Sequence, residues 1–452
     1  MRTPLPRSRS SSTSKRFMGR IPSEQARFRE VAEVSATPRR CASGSLHEGC
    51  RASSGGVPTL QGSCFPLHAW SPDVPRPCLS TVRPHWANPL HFQRRDLLRA
   101  VLLGSAAGLA ACGGGGGGGN AGPTPIGNDL PVAATDRRVK VSTTPDVSLQ
   151  VRDWQHSDDG GPVLVLLAGL GGNARCFDSL APALVAAGAA SRVLAVSRRG
   201  YGLSDKPLPV KSATQHYEVD TLVDDLAALC DALGLTRVVL GGHSIAGNEL
   251  TRFAGRFPER VRGLVYLDTT FDYTKDADTG GEDPPLNRRL DEPAPTPDDG
   301  RSMKAATAYL RRKSKNWWPA LEANLRDALD ELADGSVRPN TPDAVETAMD
   351  TAAHRFSPDY RPVRAPALVV TALPFDQRDL FPWLERPLDA QTGQDAADFL
   401  RIFRRVRRAD ADRLAAALQT SHRLTLDHCN HTDFFMEREA EVVRAIQSMR
   451  WA

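Results

Sequence analysis

The sequence of 452 residues predicts an α/β protein with a mostly parallel central sheet and helices on both faces. Continuous apolar runs that stop at Gly, such as "PVLVLLAG" at 162–169, are typical of buried parallel strands. From residue 137 onward, such runs alternate with segments whose apolar residues recur at helical spacing. The hydrophobic share of 40% is enough for a sizeable core.

Composition narrows the possible partners and ligands. The formal net charge is only +4, so nothing indicates a nucleic-acid partner. The eight cysteines are scattered, with no Cys-x-x-Cys pair and no Cys/His cluster at zinc spacing. The cysteine spacing gives no indication of a zinc site, and we expect neither a metal nor an organic cofactor.

Residues 1–90 differ from the rest, being rich in Arg, Ser, Pro and Gly without helical or strand periodicity. They are interpreted as a disordered extension, or as upstream sequence that an incorrectly assigned start codon includes. A basic arm for an anionic partner is the less favoured alternative.

Residues 91–112 contain the twin arginines Arg94 and Arg95, a short apolar stretch, and "LAAC" ending at Cys112. This pattern resembles a bacterial lipoprotein signal of twin-Arg export character. The resemblance implies cleavage before Cys112, a lipid on its sulfur, and attachment to a membrane surface on the periplasmic side. A transmembrane helix is disfavoured because the stretch is short and includes Arg99. Without a functional signal the protein would be cytoplasmic.

Residues 113–136, with seven consecutive glycines, are predicted to be a linker to one domain at 137–452. Within it, 138–155 predicts two exposed strands around a Thr-Pro-Asp turn. Further strands are predicted at 162–169, 191–200, 237–242, 261–268, 365–372 and 422–427, and helices at 217–235, 246–257, 395–419 and 436–451. A cap over about 271–362 begins polar and becomes helical over 302–334.

The stretch "GGHSIAG" at 241–247 follows an apolar strand and precedes a helical segment. It resembles the nucleophile elbow of the α/β-hydrolase fold, in which small residues allow a sharp turn that raises Ser244 above the sheet. Ala246 stands where the pattern has its last Gly, and Gly247 follows. In the fold so implied, the cap is inserted before the penultimate strand.

A serine hydroxyl needs a base, and the resemblance implies a His after the last strand. "DHCNHTDFF" offers His428 and His431, of which we favour His431. The acid that orients the imidazole is expected to be Asp376, after the penultimate strand, with Asp268 as the alternative.

The resemblance also implies an oxyanion hole formed by the backbone N–H groups of Ile245 and Leu170. The sequence thus predicts a serine hydrolase of small molecules, cleaving a carboxylic ester, thioester or amide through an acyl-enzyme. The alternatives are a catalytically inactive lipid-anchored binding protein with the same fold, and a C–C bond hydrolase. An Asp-nucleophile enzyme is disfavoured because Ser occupies the elbow.

Overall fold

The computed structural model describes residues 133–155 and 160–451. The predicted extension at 1–90, the signal at 91–112 with Cys112, and most of the linker lie outside these residues. No helix among those described has the length and apolar character needed to cross a membrane.

Eight strands form the main sheet, in the order β1-β2-β4-β3-β5-β6-β9-β10. Strands β1 and β2 are antiparallel to each other, β2 is antiparallel to β4, and the remaining pairs are parallel. The strands are β1 (Thr135–Thr143), β2 (Asp146–Gln155), β3 (Val163–Leu167), β4 (Arg192–Ser197), β5 (Val238–His243), β6 (Val261–Leu267), β9 (Ala367–Leu373) and β10 (Ser421–Asp427). A separate hairpin pairs β7 (Leu329–Glu331) with β8 (Val337–Pro339).

In the part of the chain that the structure describes, ten α-helices surround the sheet or build the cap. They are α1 (Leu180–Ala186), α2 (Val219–Ala232), α3 (Ala246–Arg256), α4 (Met303–Lys313), α5 (Pro319–Arg326), α6 (Asp343–Arg355), α7 (Gln377–Leu380), α8 (Ala390–Ala417), α9 (Phe434–Glu437) and α10 (Glu439–Ser448).

Alternation along β3 divides the core into two layers. Leu164 and Leu166 pack on the face covered by α1 and α10, whereas Val165 and Leu167 pack on the face covered by α2 and α3. Both faces of the sheet are therefore buried, as its continuous apolar strands predict.

Two local predictions need correction. Strand β2 is mostly buried, because β4 pairs with it on the inner side and helices cover it. The segment predicted to be helical over 302–334 breaks at Ser314, restarts at Pro319 and turns into the β7–β8 hairpin. Pro lacks the N–H that a continuous helix requires, which accounts for the break before α5.

Candidate active site

Three polar side chains follow parallel strands at the same edge of the sheet. Ser244 comes directly after β5 and Asp268 directly after β6. His431 follows β10 in the loop before α9. All three are buried. In an open α/β sheet, ligands bind at the carboxyl ends of the strands, which makes this edge the candidate active site.

Ser244 lies in the left-handed region, with φ of 56°. Such a conformation costs a residue with a Cβ about 1–3 kcal/mol and persists only where the surroundings impose it. Here the Ser244 amide donates to the Leu267 carbonyl at 3.1 Å, and the Thr269 hydroxyl donates to the Ser244 carbonyl at 2.6 Å. The turn thereby holds the serine between β5 and α3, as the elbow pattern predicts.

The structure also accounts for the departure from that pattern. A Cβ at Gly247 would lie 2.2 Å from the Thr269 hydroxyl oxygen, so a side chain there would collide with the segment after β6. Ala246, by contrast, fits in a fully buried position. Glycine is needed one residue later than the pattern places it.

His431 Nδ1 lies 2.6 Å from Asp268 Oδ2. The other carboxylate oxygen accepts the Ala372 amide at 2.9 Å and contacts the Arg407 guanidinium. Burial favours the neutral form of Asp268, but Arg407 and then His431 outweigh it and hold its pKa well below the usual range. Asp268 is therefore ionised, and His431 Nδ1 donates to it.

Asp376 is not the acid beside the histidine, so this prediction is corrected. It is exposed and precedes α7, where its carboxylate accepts the amides of Arg378 and Asp379 at 2.7 and 3.2 Å. Its own amide donates to Asp379, which completes a capping box. The carboxylate of Asp376 is used to cap a helix, and the residue next to His431 is the alternative acid, Asp268.

The two histidines in the last loop, His428 and His431, have different surroundings. His428 stacks on Phe375 with ring centroids 3.9 Å apart, and its carbonyl accepts Lys315 Nζ at 2.7 Å. His431 faces Asp268 instead. The structure thus brings His431 and Asp268 together and leaves His428 at the edge of the cap.

His243, next to the serine, supports the position of His431. Its Nε2 lies 2.9 Å from the His431 carbonyl, and the two rings are 4.6 Å apart. Burial, followed by the neighbouring His431, lowers the pKa of His243 to about 3. The ring is consequently neutral near pH 7, and Nε2 donates because a carbonyl can only accept.

Two reactive atoms have no hydrogen-bond partner within 133–155 and 160–451. These are Ser244 Oγ and His431 Nε2, and both are buried. With Nδ1 donating to Asp268, the neutral imidazole presents a lone pair at Nε2. The site therefore contains a buried hydroxyl and a buried proton acceptor.

The predicted oxyanion donors lie beside the serine. Gly169 through Gly172 form a turn closed by a 3.2 Å backbone hydrogen bond, with Leu170 at its first central position. Gly171 has φ of 70°, as the second central position of a type II turn requires. In the described part of the chain, neither the Leu170 nor the Ile245 amide donates to another group.

Arg198 holds this turn and was not identified as functional from the sequence. Its Nη2 donates to the carbonyls of Ala168 and Gly169 at 2.7 and 2.6 Å. Its Nη1 donates to Glu249 on α3 at 2.6 Å, and both side chains of this ion pair are buried. Arg198 thus couples the turn that contains Leu170 to the helix behind Ser244.

Arg407, on α8, was not identified as functional from the sequence either. It is almost completely buried and lies in the apolar stripe of α8, four residues after Phe403 and four before Ala411. The sequence did offer one signal, because an arginine stands at a position of this stripe where an apolar residue is expected. The structure assigns it to Asp268, away from the exposed arginines of the same helix.

The cap docks onto the histidine loop through polar contacts. Trp318 Nε1 donates to Asp433 at 2.9 Å, and Lys315 contacts Glu437 at 2.9 Å. Burial raises the pKa of Asp433 to about 6. Trp317 instead packs within the cap, where Arg311 lies over its ring. Trp318 therefore anchors the cap to the core.

Cap helix α6 closes the other side of the site. Val345, Ala348 and Met349 pack in one cluster with Ile245, and Leu170 lies against it. Ser244 is 0% exposed, so the cap and the surrounding loops shield its hydroxyl from solvent. Among the residues that the structure describes, no group of three or more His, Cys, Asp or Glu side chains could hold a metal ion.

Comparison with known proteins is consistent with this architecture. The α/β-hydrolase fold family matches residues 162–324. A 2-(acetamidomethylene)succinate hydrolase of Mesorhizobium japonicum is 29% identical over 237 residues, which cover 52% of this chain and 76% of that protein. A bifunctional epoxide hydrolase 2 of Mus musculus is 34% identical over 111 residues, or 25% of this chain and 19% of that protein.

Among solved structures, an E-2-(acetamidomethylene)succinate hydrolase superposes with a TM-score of 0.46 at 22% identity, covering 69% of this chain and 97% of that chain. The sheet order, the elbow and the family match agree on one architecture. The chain has the α/β-hydrolase fold and is an enzyme of the hydrolase class.

Proposed function

We propose that the protein hydrolyses an ester-type bond of a small molecule, namely a carboxylic ester, thioester or amide, with Ser244 as the nucleophile. Its Oγ attacks the carbonyl carbon while His431 Nε2 takes the proton. The Asp268 carboxylate stabilises the imidazolium and keeps Nδ1 protonated. The amides of Ile245 and Leu170 donate to the oxyanion, where each such donor is worth about 10²–10³ in rate.

Collapse of the tetrahedral intermediate breaks the bond to the leaving group, which takes the proton from His431. Water then attacks the acyl-enzyme, with His431 again as the base. The observation that carries this proposal is the pair of buried, unpartnered atoms, Ser244 Oγ and His431 Nε2, in a site where Nδ1 of the same ring contacts Asp268 at 2.6 Å. Leaving such groups unpaired costs about 1–3 kcal/mol each, which a substrate would recover.

A fluorophosphonate probe tests the nucleophile, because it phosphonylates only activated serines. The full chain should be labelled at Ser244, Ser244→Ala should not, and Ser212→Ala should behave as wild type, since Ser212 is exposed. Turnover of p-nitrophenyl acetate and an acetamide should then be measured. The acetamide belongs in the panel because the Mesorhizobium relative is named for a substrate with an acetamido group.

The alternatives predict different results. A catalytically inactive binding protein would be folded but neither labelled nor active on any acyl compound. A C–C bond hydrolase would be labelled at Ser244 but inactive on esters and amides. An Asp-nucleophile mechanism is disfavoured by Ser at the elbow.

We also propose that the protein is exported and lipid-anchored through Cys112. The support is the "LAAC" sequence behind the twin arginines. N-terminal analysis of the native product tests this: a lipid-modified N-terminal Cys112 supports export, whereas an intact upstream sequence in a soluble fraction contradicts it.

A further inference from the structure

A groove with a volume of about 1080 Å³ lies on the outside of the molecule, between the segment after β9 and the solvent-facing side of α8. None of the residues proposed for catalysis lines it. Its lining contains six arginines, which are Arg378, Arg386, Arg401, Arg404, Arg405 and Arg408, and two aspartates, Asp376 and Asp412. Both aspartates have other partners, since Asp376 caps α7 and Asp412 pairs with Arg423.

Four of these arginines form one stripe on α8. Arg401, Arg404, Arg405 and Arg408 follow the spacing i, i+3, i+4, i+7, which places them on one face of a helix. Like charges at this spacing repel one another and destabilise the helix by about 0.2–0.5 kcal/mol per pair. Helix stability therefore does not explain the stripe.

Only part of this charge is neutralised by carboxylates. Arg401 and Arg405 share Glu282, Arg401 also contacts Asp398, and Arg404 contacts Asp427. The three remaining guanidinium groups make no ion pair with any residue of the described ranges. They belong to Arg378, Arg386 and Arg408, all of which are exposed.

The uncompensated groups lie on both walls of the groove. Arg408 is on α8, whereas Arg378 is on α7 and Arg386 is in the loop that follows it. A flat surface would meet one wall at a time, but a compact multivalent anion can contact both. Guanidinium groups bind phosphate and carboxylate oxygens in bidentate geometry, with each hydrogen bond strengthened by charge.

From this arrangement we propose that the groove binds a small soluble polyanion with adjacent phosphate groups. The inference is independent of the proposed hydrolysis, because binding is measured without turnover.

Titration calorimetry of the full chain with inorganic tripolyphosphate tests the site. We expect salt-sensitive binding that is tighter than the binding of orthophosphate, because two or more charges must be contacted together. The double variant Arg378→Gln/Arg408→Gln should bind about tenfold more weakly or worse, by loss of two charge-assisted contacts. Both side chains are exposed, so the fold should persist, which thermal unfolding checks.

Arg364→Gln is the matched control. Arg364 is equally exposed and precedes β9, whereas Arg378 follows it, so the control removes charge at the opposite edge of the sheet. Wild-type affinity in the control and loss in the double variant support the site. Equal weakening in both variants, or no binding by the wild type, overturns it. Binding to vesicles of anionic phospholipid without binding to tripolyphosphate also overturns it, in favour of a membrane contact.

Discussion

The ends of β6 and β9 resemble each other in sequence but differ in chemistry. Each strand is followed by an aspartate at the edge of the sheet where Ser244 lies. At the end of β6, Asp268 is buried with φ of 51° and contacts His431 and Arg407. At the end of β9, Asp376 is exposed and its carboxylate caps α7. Identical side chains thus contact the histidine in one place and initiate a helix in the other.

The difference lies in what surrounds each carboxylate. Arg407 reaches Asp268 from α8, and the Ala372 amide reaches it from the end of β9 itself. These donors stabilise a charge in an environment that excludes water. Asp376 finds its donors within its own turn, and so has no need of distant partners.

The largest effect on catalysis is expected when each of the two aspartates is replaced in turn. Asp268→Asn should lower kcat on p-nitrophenyl acetate by about 10³–10⁴-fold, because the imidazolium loses its counter-charge and the preferred tautomer. Asp376→Asn should keep kcat within about twofold of wild type, since its amide oxygen can still cap the helix. A larger loss in Asp376→Asn than in Asp268→Asn would reverse the assignment of the acid. Circular dichroism should confirm that both variants fold.

Arg407→Gln removes the partner that distinguishes Asp268. We expect a loss of about 3–5 kcal/mol in unfolding free energy, because one charge of a buried pair is left alone. A carboxyl whose pKa is lowered by folding adds stability above its unfolded pKa of about 4, and that stability disappears as the pH falls further. The difference in unfolding free energy between wild type and variant should therefore be largest at pH 6 and should decrease below about pH 4.

Urea unfolding at several pH values measures this difference, with Arg364→Gln as a control that should match wild type. A purely structural arginine would change stability without changing the pH dependence. A difference between wild type and Arg407→Gln that stays constant from pH 6 to pH 3 would therefore contradict the coupling of Arg407 to Asp268.

The smallest effect is expected at Asp376. Asp376→Ala should reduce stability by about 0.5–2 kcal/mol, the usual value of an N-terminal helix cap, with hydrolytic activity unchanged. Asp376→Ser should recover most of that loss, because a serine hydroxyl also accepts from the first turn. Thermal unfolding beside esterase assays separates the two quantities. If Asp376→Ser failed to restore stability, capping would not be the role of this residue.

Local sequence patterns predicted the strands, because periodicity and glycine placement are local properties. The elbow and the loop of His431 were implied by the resemblance to the α/β-hydrolase fold. The choice between Asp268 and Asp376 depended on Arg407, more than one hundred residues from Asp268 in the chain, and no local pattern reports such a contact. The hairpin at β7–β8 was missed for a similar reason, since Leu329–Glu331 is short and acquires strand geometry only through its partner.

Helix α8 links the interior of the site to the outer surface. Its 28 residues carry Arg407 inward to Asp268 and Arg404 and Arg408 outward to the groove. Each residue advances a helix by about 100°. An insertion or deletion between the start of α8 and Arg407 would therefore rotate this arginine away from Asp268 or turn the outer stripe, unless the whole helix moved. Length changes should accumulate in the loops around α8 and spare its interior, so the contact of Arg407 with Asp268 and the groove are expected to be inherited together.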